Sequence, residues 1–235
     1  MAATSITVAE TPNVLTLLSL ADDALILGHR TSEWTGSAPL LEEELALANI
    51  ALDLIGQSRA LYQAAGDLTG HSEDELAYLR GPSAFRNALI MELPNGDFAF
   101  TIARLFLVSV ASDQRWRAGF ADPALSAVAE KAMKETAYHI RHAAEWLIRL
   151  GDGTAESHRR AQTAVDALWE YTGEITGDRA AWLRAVTPVL TRATLRQPRD
   201  GGMRDGGRAG QHTGHLAPLL AEMQILPRTF PGAVW

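Results

Sequence analysis

One stretch constrains the fold more than any other: Pro39 to Tyr62, which closes in the run LEEELALANIALDLIGQSRALY. Pro39 suits a first helical turn, Glu42, Glu43 and Glu44 complement the positive end of a helix dipole, and the next proline is Pro82. The stretch therefore reads as one long α-helix. Leu41, Leu45, Ala48, Leu52 and Ile55 recur at three- and four-residue steps, and Leu47, Ile50, Leu54 and Leu61 do so on a second side. Two apolar stripes require two sets of neighbours, which a helical bundle supplies.

Between the stripes lies a seam of Glu42, Ala46, Asn49, Asp53, Gly56, Gln57 and Ala60, with neither lysine nor arginine. An ordinary solvent face is wide and charged, so this seam is expected to be buried in a bundle interior. Two readings stay open for it. Ferritin-like carboxylate proteins hold a metal pair on such rows; alternatively, the groups form a satisfied polar network or allow close helix packing.

The chain has 235 residues, enough for a sizeable core, and is expected to form a single domain over 1–235. Hydrophobic residues make up 47%, charged residues 21%, and the net charge is −7, which argues against a disordered chain and against a nucleic-acid binder. The absence of cysteine excludes disulfides, thiolate metal sites and a cysteine nucleophile. Apolar runs are broken too often for a membrane span, and no secretory leader is recognisable, so a soluble, cytoplasmic protein is expected.

Thr11-Pro12 opens a first helix over Val14–His29, which runs into a polar and aromatic junction, Gly28–Gly36, in which His29 and Glu33 are either ligands or hydrogen-bonding groups. Short helical patterns follow at 73–79 and 83–93. Asp97 then caps the strongly apolar segment Phe98–Val110, expected to be deeply buried. Asp122-Pro123 starts a long helix, Ala124–Leu150, on which Glu135, His139, His142 and Trp146 share one narrow line. Thr154–Thr172 and Asp178–Leu195 give two more helices, the second bent or shortened by Pro188. The glycine- and arginine-rich stretch Arg199–Gly210 is expected to be mobile or ordered by a partner, and to be followed by a short helix, His215–Leu226, and a C-terminal arm.

A di-iron bundle takes one carboxylate from each of two helices and a Glu-x-x-His pair from each of two others. No Glu-x-x-His or Asp-x-x-His occurs in this chain. The nearest forms put Gly56 three residues after Asp53 and Tyr138 three residues after Glu135. Glu42, Asn49, Asp53, Glu135, His139 and His142 are the candidates for what remains of a metal site, with no catalytic, metal or cofactor-binding role assigned to them. No nucleophile elbow, dinucleotide fingerprint or His-Glu-x-x-His motif is present either.

The runs Asp22–Arg30 (DDALILGHR), Ser32-Glu33-Trp34 and Leu47–Gln57 (LANIALDLIGQ) carry a resemblance, as do Lys134-Glu135 with Tyr138-His139, Trp146–Gly151, Gln211–Leu216 and Leu219–Gln224. In this order they resemble the C subunits of phenylacetyl-CoA epoxidase, the PaaC family, from about Leu20 onward. The resemblance implies an all-α, ferritin-like helical bundle with extra helices. It also implies membership of a multicomponent monooxygenase that epoxidises the ring of phenylacetyl-coenzyme A with molecular oxygen, in aerobic phenylacetate breakdown. In that family the di-iron centre belongs to a homologous catalytic subunit, a reductase brings electrons from NADPH, and the C subunit is the non-catalytic structural partner. The expectations are thus no cofactor in this chain, association with the catalytic subunit and other subunits of the complex, and self-association when alone. The alternative is a ferritin-like oxidoreductase with a di-iron site of its own.

Overall fold

The computed structural model describes residues 5–120 and 123–233. Ten helices follow one another there: α1 (Pro12–Ser32), α2 (Leu41–Thr69), α3 (Glu73–Tyr78), α4 (Leu89–Glu92), α5 (Phe98–Ala118), α6 (Pro123–Gly151), α7 (Ala155–Trp169), α8 (Arg179–Arg192), α9 (Leu216–Met223) and α10 (Ile225–Thr229). No strand occurs among the described residues, so the fold is all-α, consistent with the ferritin-like architecture expected. The expected cap Asp122 and the end of the C-terminal arm lie outside the described residues.

Local signals set several boundaries. Asp97 accepts a hydrogen bond from the Phe100 amide at 2.9 Å and starts α5, while Gly119, at φ 76°, ends it. Ser72 with Glu75, and Thr154 with Ser157, close reciprocal caps at the starts of α3 and α7. Asp178 caps α8, which contains Pro188 and stops at Arg192, three residues before the expected end.

Two compact units partition the chain. The first comprises Met1–Ser32, Ala51–Pro94 and Gly206–Trp235, and holds α1, most of α2, α3, α4, α9 and α10. Its core is built from Leu18, Ile26, Leu54, Leu61, Phe85 and Leu220. The Ser58 hydroxyl donates to the Ala21 carbonyl at 2.9 Å and ties α2 to α1. The second unit, Glu33–Ile50 with Asn95–Asp205, is organised on α5, against which α6, α7 and α8 pack. From Thr101 to Ala111 every residue of α5 is buried, as its sequence predicts, and the Trp182 indole donates to the Leu107 carbonyl at 3.1 Å.

The long helix departs from expectation. Leu47, Ile50, Leu54 and Leu61 are buried, but Leu41, Leu45 and Leu52 are 69, 58 and 69% exposed. One of its two apolar stripes therefore has no full cover among the described residues. The seam does not face an interior either: Glu42 and Asn49 are exposed and Asp53 is half-buried, with only Gln57 buried. Periodicity fixes which residues share a face of a helix but not which face meets a neighbour. Helix α6 also has a solvated side, marked by Glu130, Lys131, Lys134, Arg141 and Glu145, so neither long helix is surrounded.

The Arg199–Gly210 stretch is a second correction, since it is tied down by its own chain. Asp200 accepts hydrogen bonds from the Trp169 indole at 2.8 Å and from Arg179 at 2.6 Å. Arg204 pairs with Glu170 at 2.9 Å, and Arg208 with Asp23 at 2.5 Å. Its glycines let the backbone turn, as at Gly206 with φ 125°, while the arginines find carboxylates.

Candidate functional site

The line on α6 is real as a helix face, and the second unit determines what it meets. Phe98, at the start of α5, stands edge-on between Trp34, at 5.8 Å, and Trp146, at 5.1 Å, locking α6 in place. His142 stacks on Tyr138 with ring centroids 5.9 Å apart, and His139, 2% exposed, meets the same Tyr138 ring edge-on. Glu135 pairs with Lys131 one turn earlier at 3.3 Å.

The carboxylate facing this line from α2 is Glu43, not Glu42. Its Oε2 lies 3.3 Å from His142 Nε2, and both atoms are buried without the alignment of a hydrogen bond. Burial holds the His142 imidazole below its ordinary pKa, with Arg149 adding to the effect and the Glu43 and Glu145 carboxylates opposing it. The partly buried His142 imidazole thus faces the Glu43 side chain that α2 presents. The sequence carried a signal for Glu43: it sits four residues before Leu47, on the stripe that continues through Ile50 and Leu54.

The donor set does not fit a di-iron pair. His142 and Glu43 are brought together, Glu135 is engaged by Lys131, and Glu42 and Asn49 face solvent. No group of three or more His, Asp or Glu that could hold a metal ion occurs among the described residues. Two irons need several hard oxygen and imidazole ligands, and two groups cannot supply them.

Against this geometry, the family model of the phenylacetic acid catabolic proteins matches residues 1–181 and 179–235. The chain belongs to that family. It is also 42% identical over 241 residues to the C subunit of 1,2-phenylacetyl-CoA epoxidase from Escherichia coli (strain K12), covering 93% of this chain and 97% of the relative.

In this member of the phenylacetic acid catabolic protein family, the polar groups that the first unit buries most completely stand outside the set of candidate ligands. Asp22, Tyr62 and Arg80 form one cluster: the Tyr62 hydroxyl donates to Asp22 at 2.5 Å and the Arg80 guanidinium donates to both. Glu92, buried at the end of α4, accepts from the Asn87 amide at 2.9 Å and from the Thr213 backbone at 2.6 Å, and His212 Nδ1 lies 2.8 Å from it. The other nitrogen of His212 lies 3.1 Å from the Phe85 carbonyl. Two acceptors on one imidazole favour its doubly protonated form, and these partners raise the His212 pKa although burial opposes them. Hydrogen bonds from His212, Thr213 and Asn87 in turn hold the Glu92 carboxyl below its ordinary range against the cost of its burial. Glu33, another ligand candidate, serves the junction by accepting a hydrogen bond from the Asn95 amide at 3.0 Å, while His29 is half-buried, its pKa lowered by burial against the Glu222 carboxylate. Among the described residues, no helix is long and apolar enough to cross a membrane.

Proposed function

We propose that this chain is the non-catalytic structural subunit of a multicomponent monooxygenase that epoxidises phenylacetyl-coenzyme A, and that it acts by associating with a homologous catalytic subunit. The observation that carries the reading is the row of leucines left open on α2. Leu41, Leu45 and Leu52 would each gain about 1–2 kcal/mol on burial of the surface they still expose, and they recur along one side of a helix whose opposite side is already packed. A helix of a related bundle, laid along that side, would cover them. The ligand deficit around His142 and Glu43 supports the non-catalytic half of the reading. The relative's designation as a subunit supports the other half.

On this reading the di-iron centre resides in the catalytic subunit, electrons arrive from NADPH through a reductase, other subunits complete the complex, and the assembly works in the cytoplasm. The chain forms one ferritin-like domain over 1–235 and supplies shape and stability to its partner. The test is epoxidation of phenylacetyl-coenzyme A by the catalytic subunit and reductase with and without this chain, alongside iron analysis of the chain purified alone. Activity and catalytic-subunit stability should both rise with the chain present. Equal values in both arms would overturn the reading, as would stoichiometric, chelation-resistant iron in the lone chain, which would favour a di-iron oxidoreductase in its own right.

A further inference from the structure

The first unit carries a second apolar surface, on different elements from the leucine row. A groove with a volume of about 940 Å³ runs between α3 and the α9–α10 tail. Its floor and one wall are Leu79, Met223, Leu226 and Phe230, and Leu226 and Phe230 remain 53 and 55% exposed. Asp74 and Glu75 line the same groove from α3. Glu75 is held ionised by hydrogen bonds from Ser72, which lower its pKa, and Asp74 is exposed at the same edge. The cations nearby are committed elsewhere: Arg59 pairs with Glu73, and Arg228 donates to Gln224 and to the Arg80 carbonyl. His71 lies 3.8 Å from Glu75.

The geometry points to this groove as the seat of a polypeptide segment from another subunit of the assembly, one that places an apolar side chain against Leu226 and Phe230 and a lysine or arginine beside Asp74. The acidic pair selects the cation and repels a phosphate-bearing thioester, so the substrate's own coenzyme A is a poor occupant. The apolar floor supplies the contact area, and the open edge admits a chain rather than an enclosed small molecule. The inference rests on the reading of this protein as a subunit, but it uses a surface that the leucine row does not.

The test places a photo-cross-linker at the groove, as Phe230→p-benzoylphenylalanine, in the purified complex assembled from this chain and its cognate subunits. The expected product joins this chain to a segment of another subunit that contains an apolar residue next to a lysine or arginine. Its yield should fall at least about fivefold in an Asp74→Lys background and by a smaller factor with Asp74→Asn, the variant that disturbs α3 least. Absence of any inter-chain product from the intact complex would overturn the inference. So would a product confined to residues of this same chain, a captured segment without a cation, or a yield indifferent to both Asp74 variants. A Leu45→Asp control separates the two surfaces: it should weaken association with the catalytic subunit, whereas the Asp74 variants should lower the cross-link yield while the complex still assembles through α2.

Discussion

Arg80 and Asp22 form an ion pair in which neither side chain exposes any surface. The pair is anchored on all sides: the Arg80 guanidinium also donates to the Leu76 and Ala84 carbonyls at 2.6 and 2.8 Å, and the Arg86 amide donates to Asp22 at 2.6 Å. Burial opposes the charged form of Arg80, but Asp22 and Tyr62 outweigh it and raise the guanidinium's pKa above its ordinary value. Removing one partner leaves a buried charge without compensation. Asp22→Asn and Arg80→Met are each expected to cost about 3–5 kcal/mol, measured by urea denaturation. A loss below about 1 kcal/mol in either would contradict the assignment.

His212 gives the tail a pH dependence of known sign. Its folded pKa lies above the ordinary 6.5, so the stability from the charged imidazole is complete below that value and disappears as pH rises through the folded pKa. Glu92, depressed below 4.5, contributes above that value and loses its contribution as pH falls through its folded pKa. His29 and His142, both lowered, act in the opposite sense to His212, their penalty appearing as pH falls below 6.5. The comparison that isolates His212 is parent against His212→Gln: the stability gap should be large near pH 6 and narrow near pH 9. A gap independent of pH would show that the imidazole is not charged there.

Two glycines inside helices should respond to alanine in opposite directions. A Cβ on Gly151 would lie 2.1 Å from the Ala193 carbonyl oxygen, whereas one on Gly56 would meet nothing within 4 Å. The Gly151 carbonyl also accepts from Thr194 at 3.1 Å and lies 2.7 Å from His158 Nδ1, so the end of α6 cannot retreat freely. Alanine gains about 1 kcal/mol over glycine in a helix interior, and Gly56→Ala should show that gain in the isolated chain. Gly151→Ala should instead lose about 1–3 kcal/mol by overpacking. Thermal midpoints of the two variants, moving apart from the parent, check both.

The open leucines of α2 can be tested without disturbing the fold. Leu41→Ser and Leu45→Asp remove apolar surface that already meets water, so the stability of the isolated chain should stay within about 0.5 kcal/mol of the parent. Association with the catalytic subunit should weaken at least tenfold, about 1.4 kcal/mol, in an analytical ultracentrifugation titration. Unchanged affinity in both variants would remove α2 from the interface.

Much of this protein is legible along the chain. The apolar run after Asp97, the caps at Ser72, Thr154 and Asp178 and the length of α2 are local signals, set by spacing and by side chains that reach their own backbone. The missing Glu-x-x-His pairs are equally local, because residues three apart must share a helix face whatever the fold. The runs from Asp22 to Gln224 carry the family.

What the sequence could not decide is which surface meets which. It predicts two apolar stripes on α2, but only packing leaves Leu41, Leu45 and Leu52 open while covering Leu47 and Ile50. It supplies three consecutive glutamates, and a rotation of about 100° per residue separates Glu43, turned toward His142, from the exposed Glu42. It makes Arg199–Gly210 look loose, because the carboxylates that bind its arginines lie far away in the chain, Asp23 among them. Helix periodicity is a local property of the backbone, fixed by nearest-neighbour geometry. Burial and charge pairing depend on residues distant in sequence, and only the tertiary structure brings these together.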